Sequence, residues 1–189
     1  MSGGDLVPTA GQTVGPFFHF ALPYDGGSEL VPPGHAGAVR LHGTVLDGAG
    51  SPVPDALLEL WQPDADGEVS REPGSLRRNG FTFTGWGRAA TDDAGHYSFS
   101  TLRPGVVAPG TAPFFALTVF ARGLPNRLFT RAYLPAEPGD DALSADPLLK
   151  SLTEDRRRTL VAATDTQGYR FDVRLQGDDE TVFLRYPRH

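Results

Sequence analysis

Residues 42–61, HGTVLDGAGSPVPDALLELW, read as one strand ending in a tight turn and a second strand starting beyond it. Val39, Leu41, Gly43 and Val45 alternate into the first strand, and Asp47-Gly48-Ala49-Gly50 supply turn chemistry. Pro52 and Pro54 bracket the next start. Ala56, Leu58 and Leu60 then alternate with Leu57, Glu59 and Trp61, which makes one face apolar and the other mixed. Asp64-Ala65-Asp66-Gly67 turn the chain again. A period of two, punctuated by Gly, Pro and Asp, belongs to half-buried strands.

The pattern continues outward. Residues 68–80 are charged and loop-like, and residues 81–86 are expected to be extended. A turn at 91–95 leads to an alternating strand at 96–100. A Pro/Gly loop at 103–113 precedes the apolar run 114–121, which is rich in aromatic and β-branched residues and is expected to be a central strand. Further strands are expected at 131–134 and 169–175, with 181–184 closing the series. The one helical signal is 151–163, where Ser151 and Glu154 have capping-box spacing and Thr153 competes as the cap. Arg156, Arg157 and Arg158 fall on its solvated face. Many short strands at even spacing imply an all-β sandwich or barrel.

Composition narrows the function classes. A chain of 189 residues suits one domain with a real core, and 39% hydrophobic with 21% charged residues excludes disorder. The net charge of −6 argues against nucleic-acid binding, which needs a basic surface. The absence of cysteine removes disulfides and thiolate metal sites and is compatible with a cytoplasmic location. The opening MSGGDLVPTAGQTVGPFF lacks a basic stretch followed by an apolar run, so no signal peptide is expected, and no apolar stretch is long enough to span a bilayer. Residues 1–38 read as an extended arm and residues 39–189 as a single β-sandwich domain. Phe17, Phe18, Phe20 and Leu22 form an apolar cluster in the arm, expected to pack on its own domain or on a neighbour.

Several blocks together resemble the intradiol ring-cleaving dioxygenases. They are Gly43-x-Val45-x-Asp47-x-x-Gly50-x-Pro52-Val53-Pro54-Asp55-Ala56 with Glu59-x-Trp61-Gln62; Gly87-Arg88 with Thr91-Asp92-x-x-Gly95-x-Tyr97-x-Phe99; Arg103-Pro104-Gly105; Tyr169-Arg170-Phe171-Asp172-Val173; and Gly177 with Glu180-Thr181-Val182-Phe183. Their order and spacing carry the likeness over nearly the whole chain. The resemblance implies an immunoglobulin-like or transthyretin-like sandwich. Gln12-Thr13-Val14-Gly15-Pro16-Phe17, Phe120-Ala121-Arg122-Gly123 and Thr130-Arg131-x-Tyr133 are similar to the alpha-type chain of two-subunit family members. That likeness implies pairing with a homologous, iron-bearing beta subunit in an assembly of several αβ pairs.

Family members hold Fe(III) with two tyrosines and two histidines. In this chain the histidine positions fall at Phe114 and Ala116, one tyrosine position falls near Val107, and the loop 68–80 expected to hold the other tyrosine has none. Hard ferric iron prefers oxygen and imidazole donors, and these side chains offer no lone pair. Phe114 and Phe115 are expected to fill the site by packing. The resemblance places Fe(III) in the beta subunit and gives this chain a wall of the shared pocket, lined by Thr13, Gly15, Pro16 and Arg122. Gly15-Pro16 can bring bare backbone against a flat ring. Thr13 offers a hydroxyl, and Arg122 a planar fork suited to a carboxylate. The implied substrate is protocatechuate, a small aromatic acid, cleaved with O2 between its two hydroxyl carbons to a carboxymuconate.

The residues alone also allow a turn at Gly15-Pro16, a turn cap at Thr13 and a surface or interface ion pair at Arg122. Arg131 is expected to form an ion pair, Tyr133 to be a core aromatic, and Trp61 and Trp86 to be packing residues. Two other functions remain open: an independent dioxygenase with substitute ligands such as His96 or Tyr97, and a non-catalytic sandwich that binds ligands or proteins.

Overall fold

The computed structural model describes residues 15, 18–72, 78–137, 139 and 141–186. Nine strands form two sheets. The first contains β1 (Ala38–Leu46), β4 (His96–Leu102), β7 (Ala163–Asp165), β8 (Gly168–Arg170) and β9 (Val173–Arg174), in the order β4-β1-β8-β7, with β9 also on β1. The second contains β2 (Leu57–Trp61), β3 (Trp86–Ala90), β5 (Phe114–Phe120) and β6 (Leu128–Tyr133), in the order β3-β2-β5-β6. The apolar run after the Pro/Gly loop is therefore an inner strand, as its composition predicts.

Alternation builds the core. Leu41, Val45, Tyr97, Phe99, Phe171 and Val173 from the first sheet meet Leu58, Leu60, Phe115, Leu117, Val119 and Ala132 from the second. A smaller cluster lies on the outer face of the second sheet. There Ala112, Tyr133, Leu149, Leu160 and Val182 gather beneath three short helices, α2 (Ala142–Ala145), α3 (Pro147–Lys150) and α4 (Glu154–Arg158).

Both open sides of the sandwich are stitched by irregular chain. Residues 27–31 bridge the edge strands β3 and β4: Arg88 N–H donates to the Gly27 carbonyl at 2.8 Å, Ser100 N–H to Ser28 at 2.9 Å and Leu30 N–H to Ser100 at 2.8 Å. On the other side Tyr133 N–H donates to Leu160 and Ala162 N–H to Tyr133. These bonds satisfy edge groups that would otherwise invite another strand.

Four expectations change. Residues 81–85 are not in a sheet, because the Asn79 side chain accepts from Phe81 and Thr82 N–H and winds a turn that leaves Phe81 96% exposed. The helix at 151–163 shrinks to α4. Ser151 ends α3 instead of opening a helix, Thr153 stands at the N-cap without a side-chain bond, and 160–162 are claimed by pairing with β6. The strand at 169–175 breaks at Phe171-Asp172 into β8 and β9. Residues 181–184 form no continuous strand: Thr181 N–H donates to the Arg174 carbonyl of β9, the Val182 carbonyl is taken by the Thr130 hydroxyl, and Leu184 bridges Phe129. The helices α2 and α3 were not expected, although Asp146-Pro147 is a helix-start signal: Asp146 caps α3 by accepting from Leu148 and Leu149 N–H.

The break at Phe171 explains Gly43. The Phe171 carbonyl turns out of the ladder across β1, accepts the Tyr97 hydroxyl at 2.6 Å, and lies where a Cβ on residue 43 would stand. Gly43→Ala is expected to destabilise the chain by about 3 kcal/mol, since backbone must move to make room. Urea unfolding measures the loss.

Candidate functional site

On β5, Phe115, Leu117 and Val119 point into the core, so Phe114, Ala116 and Thr118 point outward. Register then fixes their neighbours. Ala116 lies between Trp61 on β2 and Arg131 on β6, and Phe114 lies opposite Tyr133. The Arg131 guanidinium carbon stands 4.1 Å from the centre of the Phe114 ring. Its Nη1 donates to the Tyr133 hydroxyl at 3.1 Å, and that hydroxyl donates to Asp146 Oδ1 at 3.2 Å. Asp146 is buried, caps α3 and also accepts from Ala112 N–H at 3.1 Å. Burial pushes the Tyr133 phenol up to about 12; the Asp146 charge adds to this, and the Arg131 charge opposes it.

Two expectations about this face are corrected. Phe115 does not help fill the site, since it faces the core; Phe114 alone lies on this side. Arg131 meets an aromatic face and a phenol where an ion pair was expected, a geometry that favours a delocalised planar cation. Trp61 is also more than packing, being 49% exposed beside Ala116, whereas Trp86 is buried.

A ferric ion does not fit these residues. Phe114 and Ala116 carry no donor atom, Val107 is a partly exposed aliphatic, and a fixed positive charge already occupies the face beside them. Among the described residues no group of three or more His, Asp or Glu could hold a metal. His96 and Tyr97 are no substitute pair. As neighbours on β4 they point to opposite faces, and the Tyr97 hydroxyl is buried and committed to Phe171. Burial first, and then the Asp172 charge, push the Tyr97 phenol up, away from the phenolate a metal requires. The His96 ring lies 5.8 Å from that of His42, whose Nε2 is 3.2 Å from Asp165 Oδ1.

The arm approaches the same sheet. A short helix, α1 (Phe18–Ala21), follows Gly15, and Leu22 offers its carbonyl to Arg88 Nη1 at 3.0 Å. Arg88 lies 5.2 Å over Trp86 and pairs with Glu59 at 2.7 Å, both partly buried. Phe20 is 74% exposed, and Leu22 is exposed too, so these two do not pack into this chain's core. Gly15 is exposed, its carbonyl accepts from Phe18 N–H at 3.2 Å, and a Cβ added there would meet no described residue within 4 Å. Thr13, Pro16 and Phe17 lie outside the described residues.

Arg122 follows β5, where Ala121 is buried and Gly123 turns the chain at φ 87°. Its Nε pairs with Asp55 Oδ2. The side chains are 59% and 8% exposed, respectively. Asp55 sits in the opening sequence motif, but its pairing with Arg122 was not foreseen; strand order brings the end of β5 beside the start of β2.

The profile of a family described as "Dioxygenase" matches residues 15–177. The protocatechuate 3,4-dioxygenase alpha chain of Burkholderia cepacia is 40% identical over 196 residues, covering 95% of this chain and 98% of that one. The beta chain from the same organism is 34% identical over 161 residues, 76% of this chain and 66% of its own. Among solved structures, the dioxygenase domain of a dioxygenase carbohydrate-binding protein fusion from Streptomyces sp. SirexAA-E superposes with a TM-score of 0.58 at 24% identity, covering 90% of this chain and 99% of that one, a likeness of fold.

Restoring donors should not by itself restore a metal site. The full-length Phe114→His/Ala116→His chain is expected to bind Cu2+ about tenfold more weakly than the same variant with Arg131→Gln, because a like charge at close range opposes the cation. Isothermal titration compares the two.

Proposed function

Because the chain belongs to the intradiol ring-cleaving dioxygenases, we propose that it is the alpha chain of a protocatechuate 3,4-dioxygenase, working against a homologous beta chain that carries Fe(III). The observation that supports this reading is the outer face of β5, where Phe114 and Ala116 offer no donor atom and the Arg131 guanidinium lies over the Phe114 ring. A family member without donors contributes by completing another chain's site.

The reaction inserts both atoms of O2 into protocatechuate, breaks the bond between the two hydroxyl carbons and yields 3-carboxy-cis,cis-muconate. Iron in the beta chain supplies the activation of ring and oxygen. This chain supplies a wall. Arg122 presents a permanent charge to the substrate carboxylate, and an exposed cation attracts the anion even across a water. Gly15 and Pro16 put bare backbone near the ring, and Thr13 adds a hydroxyl. The exposed side chains of Phe20, Leu22 and Trp61 suit burial against the partner, since obligate contacts are large and apolar. Assembly of several such pairs in the cytoplasm, with a role in aromatic catabolism, completes the reading. No helix among the described residues is long and apolar enough to cross a membrane.

The purified chain alone is expected to be colourless and to give no oxygen uptake with protocatechuate, and to support turnover once its beta chain is added. Ring cleavage by this chain alone would overturn the reading. Removal of residues 1–22 is expected to weaken assembly, followed by analytical ultracentrifugation, and to lower kcat of the reconstituted complex.

A further inference from the structure

Asp55 is a nearly buried carboxylate whose one ion-pair partner among the described residues is a largely exposed arginine. Its mount is stiff. Ala56 N–H donates to the Thr91 hydroxyl at 2.9 Å, that hydroxyl donates to the Val53 carbonyl at 2.8 Å, and Thr91 N–H donates to the Ala56 carbonyl at 2.9 Å. The residues before and after Asp55 are thus tied to one buried threonine. Asp55 Oδ2 accepts no hydrogen bond from a described residue, so the charge pairing with Arg122 is what meets it.

Burying a carboxylate this far costs free energy unless a cation meets it. Nε is the nearest of that cation's nitrogens. A guanidinium has five N–H groups in a rigid plane. Contact at Nε leaves Nη1 and Nη2 at the far end, and no described residue bonds either of them. Four rotatable bonds would otherwise let so exposed an arginine sample many directions.

We infer that Asp55 is a positioning residue for substrate binding: it grips Arg122 at Nε so that the two terminal nitrogens face the carboxylate of the aromatic acid as a preset fork. This rests on the reading of Arg122 given above and assigns the orientation of that side chain to a residue of the opening motif. The carboxylate also lowers the net charge at the fork, so its value to the complex lies in geometry more than in field. Selectivity for a catechol bearing a carboxylate over plain catechol then depends on Asp55 as well as on Arg122.

The test is a double-mutant cycle on the complex reconstituted with its beta chain. Loss of a charge-assisted bond to substrate corresponds to about a tenfold rise in KM for protocatechuate in Arg122→Ala, with kcat little changed. Asp55→Ala is expected to raise KM about fivefold, and the double variant to match Arg122→Ala alone, since coupled residues do not add. Asp55→Asn, whose amide oxygen still accepts from Nε, should restore most of the loss. Inhibition by catechol, which has no carboxylate, should be the same in all four.

Arg122→Lys leaves the buried residue untouched, so it reads out even where Asp55→Ala fails to assemble. Without a separate Nε to hold, it is expected to show the raised KM. A normal KM in Asp55→Ala or in Arg122→Lys, or fully additive effects in the double variant, overturns the positioning role while leaving Arg122 in place. A normal KM in Arg122→Ala removes the substrate role of Arg122 and the inference with it.

Discussion

The alternation of a single inner strand organises this molecule. In β5 every odd-numbered side chain from Phe115 to Val119 is buried between the sheets, and every even one from Phe114 to Thr118 faces the other way. The geometry of the pleat allows no other arrangement, because a slip of one residue would expose three core side chains together. The same constraint sets the identity of the outer face. Once Phe115 and Leu117 are committed inward, positions 114 and 116 must lie side by side on the outside, where this chain keeps a ring and a methyl group.

The outer face of β5 has an internal order of its own. The guanidinium over Phe114, the phenol of Tyr133 and the carboxylate of Asp146 form one run from the sheet surface into the helical cluster. Asp146 in turn anchors the start of α3 and the loop at Ala112. A buried carboxylate that serves four donors is costly to disturb. Phe114 is therefore tied through Arg131 and Tyr133 to the packing of α3, so this face serves as scaffold.

Local chemistry explains which parts were legible beforehand. Strands with strict alternation and clear turns, such as β1, β2, β4 and β5, could be read from sequence because side-chain period and turn residues agree. The errors cluster where one tertiary bond overrides a local preference. Ser151 and Glu154 have capping-box spacing, yet pairing of 160–162 with Tyr133 ends the helix early. Residues 169–175 look continuous, but the Phe171 carbonyl leaves the ladder for Tyr97. Phe81 to Gly85 alternate well enough to suggest a strand, and one asparagine winds them into a turn. No short window of sequence contains both partners of the Tyr97–Phe171 or Tyr133–Leu160 bonds, so periodicity alone could not foresee them.

The candidate site shows the same division. The side chains at 114 and 116 are visible as letters, whereas what surrounds them is not. Partners such as Asp55 with Arg122, or Arg131 with Phe114, are created by strand order. Both pairs use β5 as the common member: its start faces β6 and its end lies beside the approach to β2. The two arginines consequently serve opposite ends of one strand with opposite effects. Arg131, held against an aromatic face and only partly exposed, keeps its charge within the fold. Arg122, anchored at Nε and mostly exposed, keeps its charge directed outward. One strand thus separates a charge satisfied inside the fold from a charge carried at the surface.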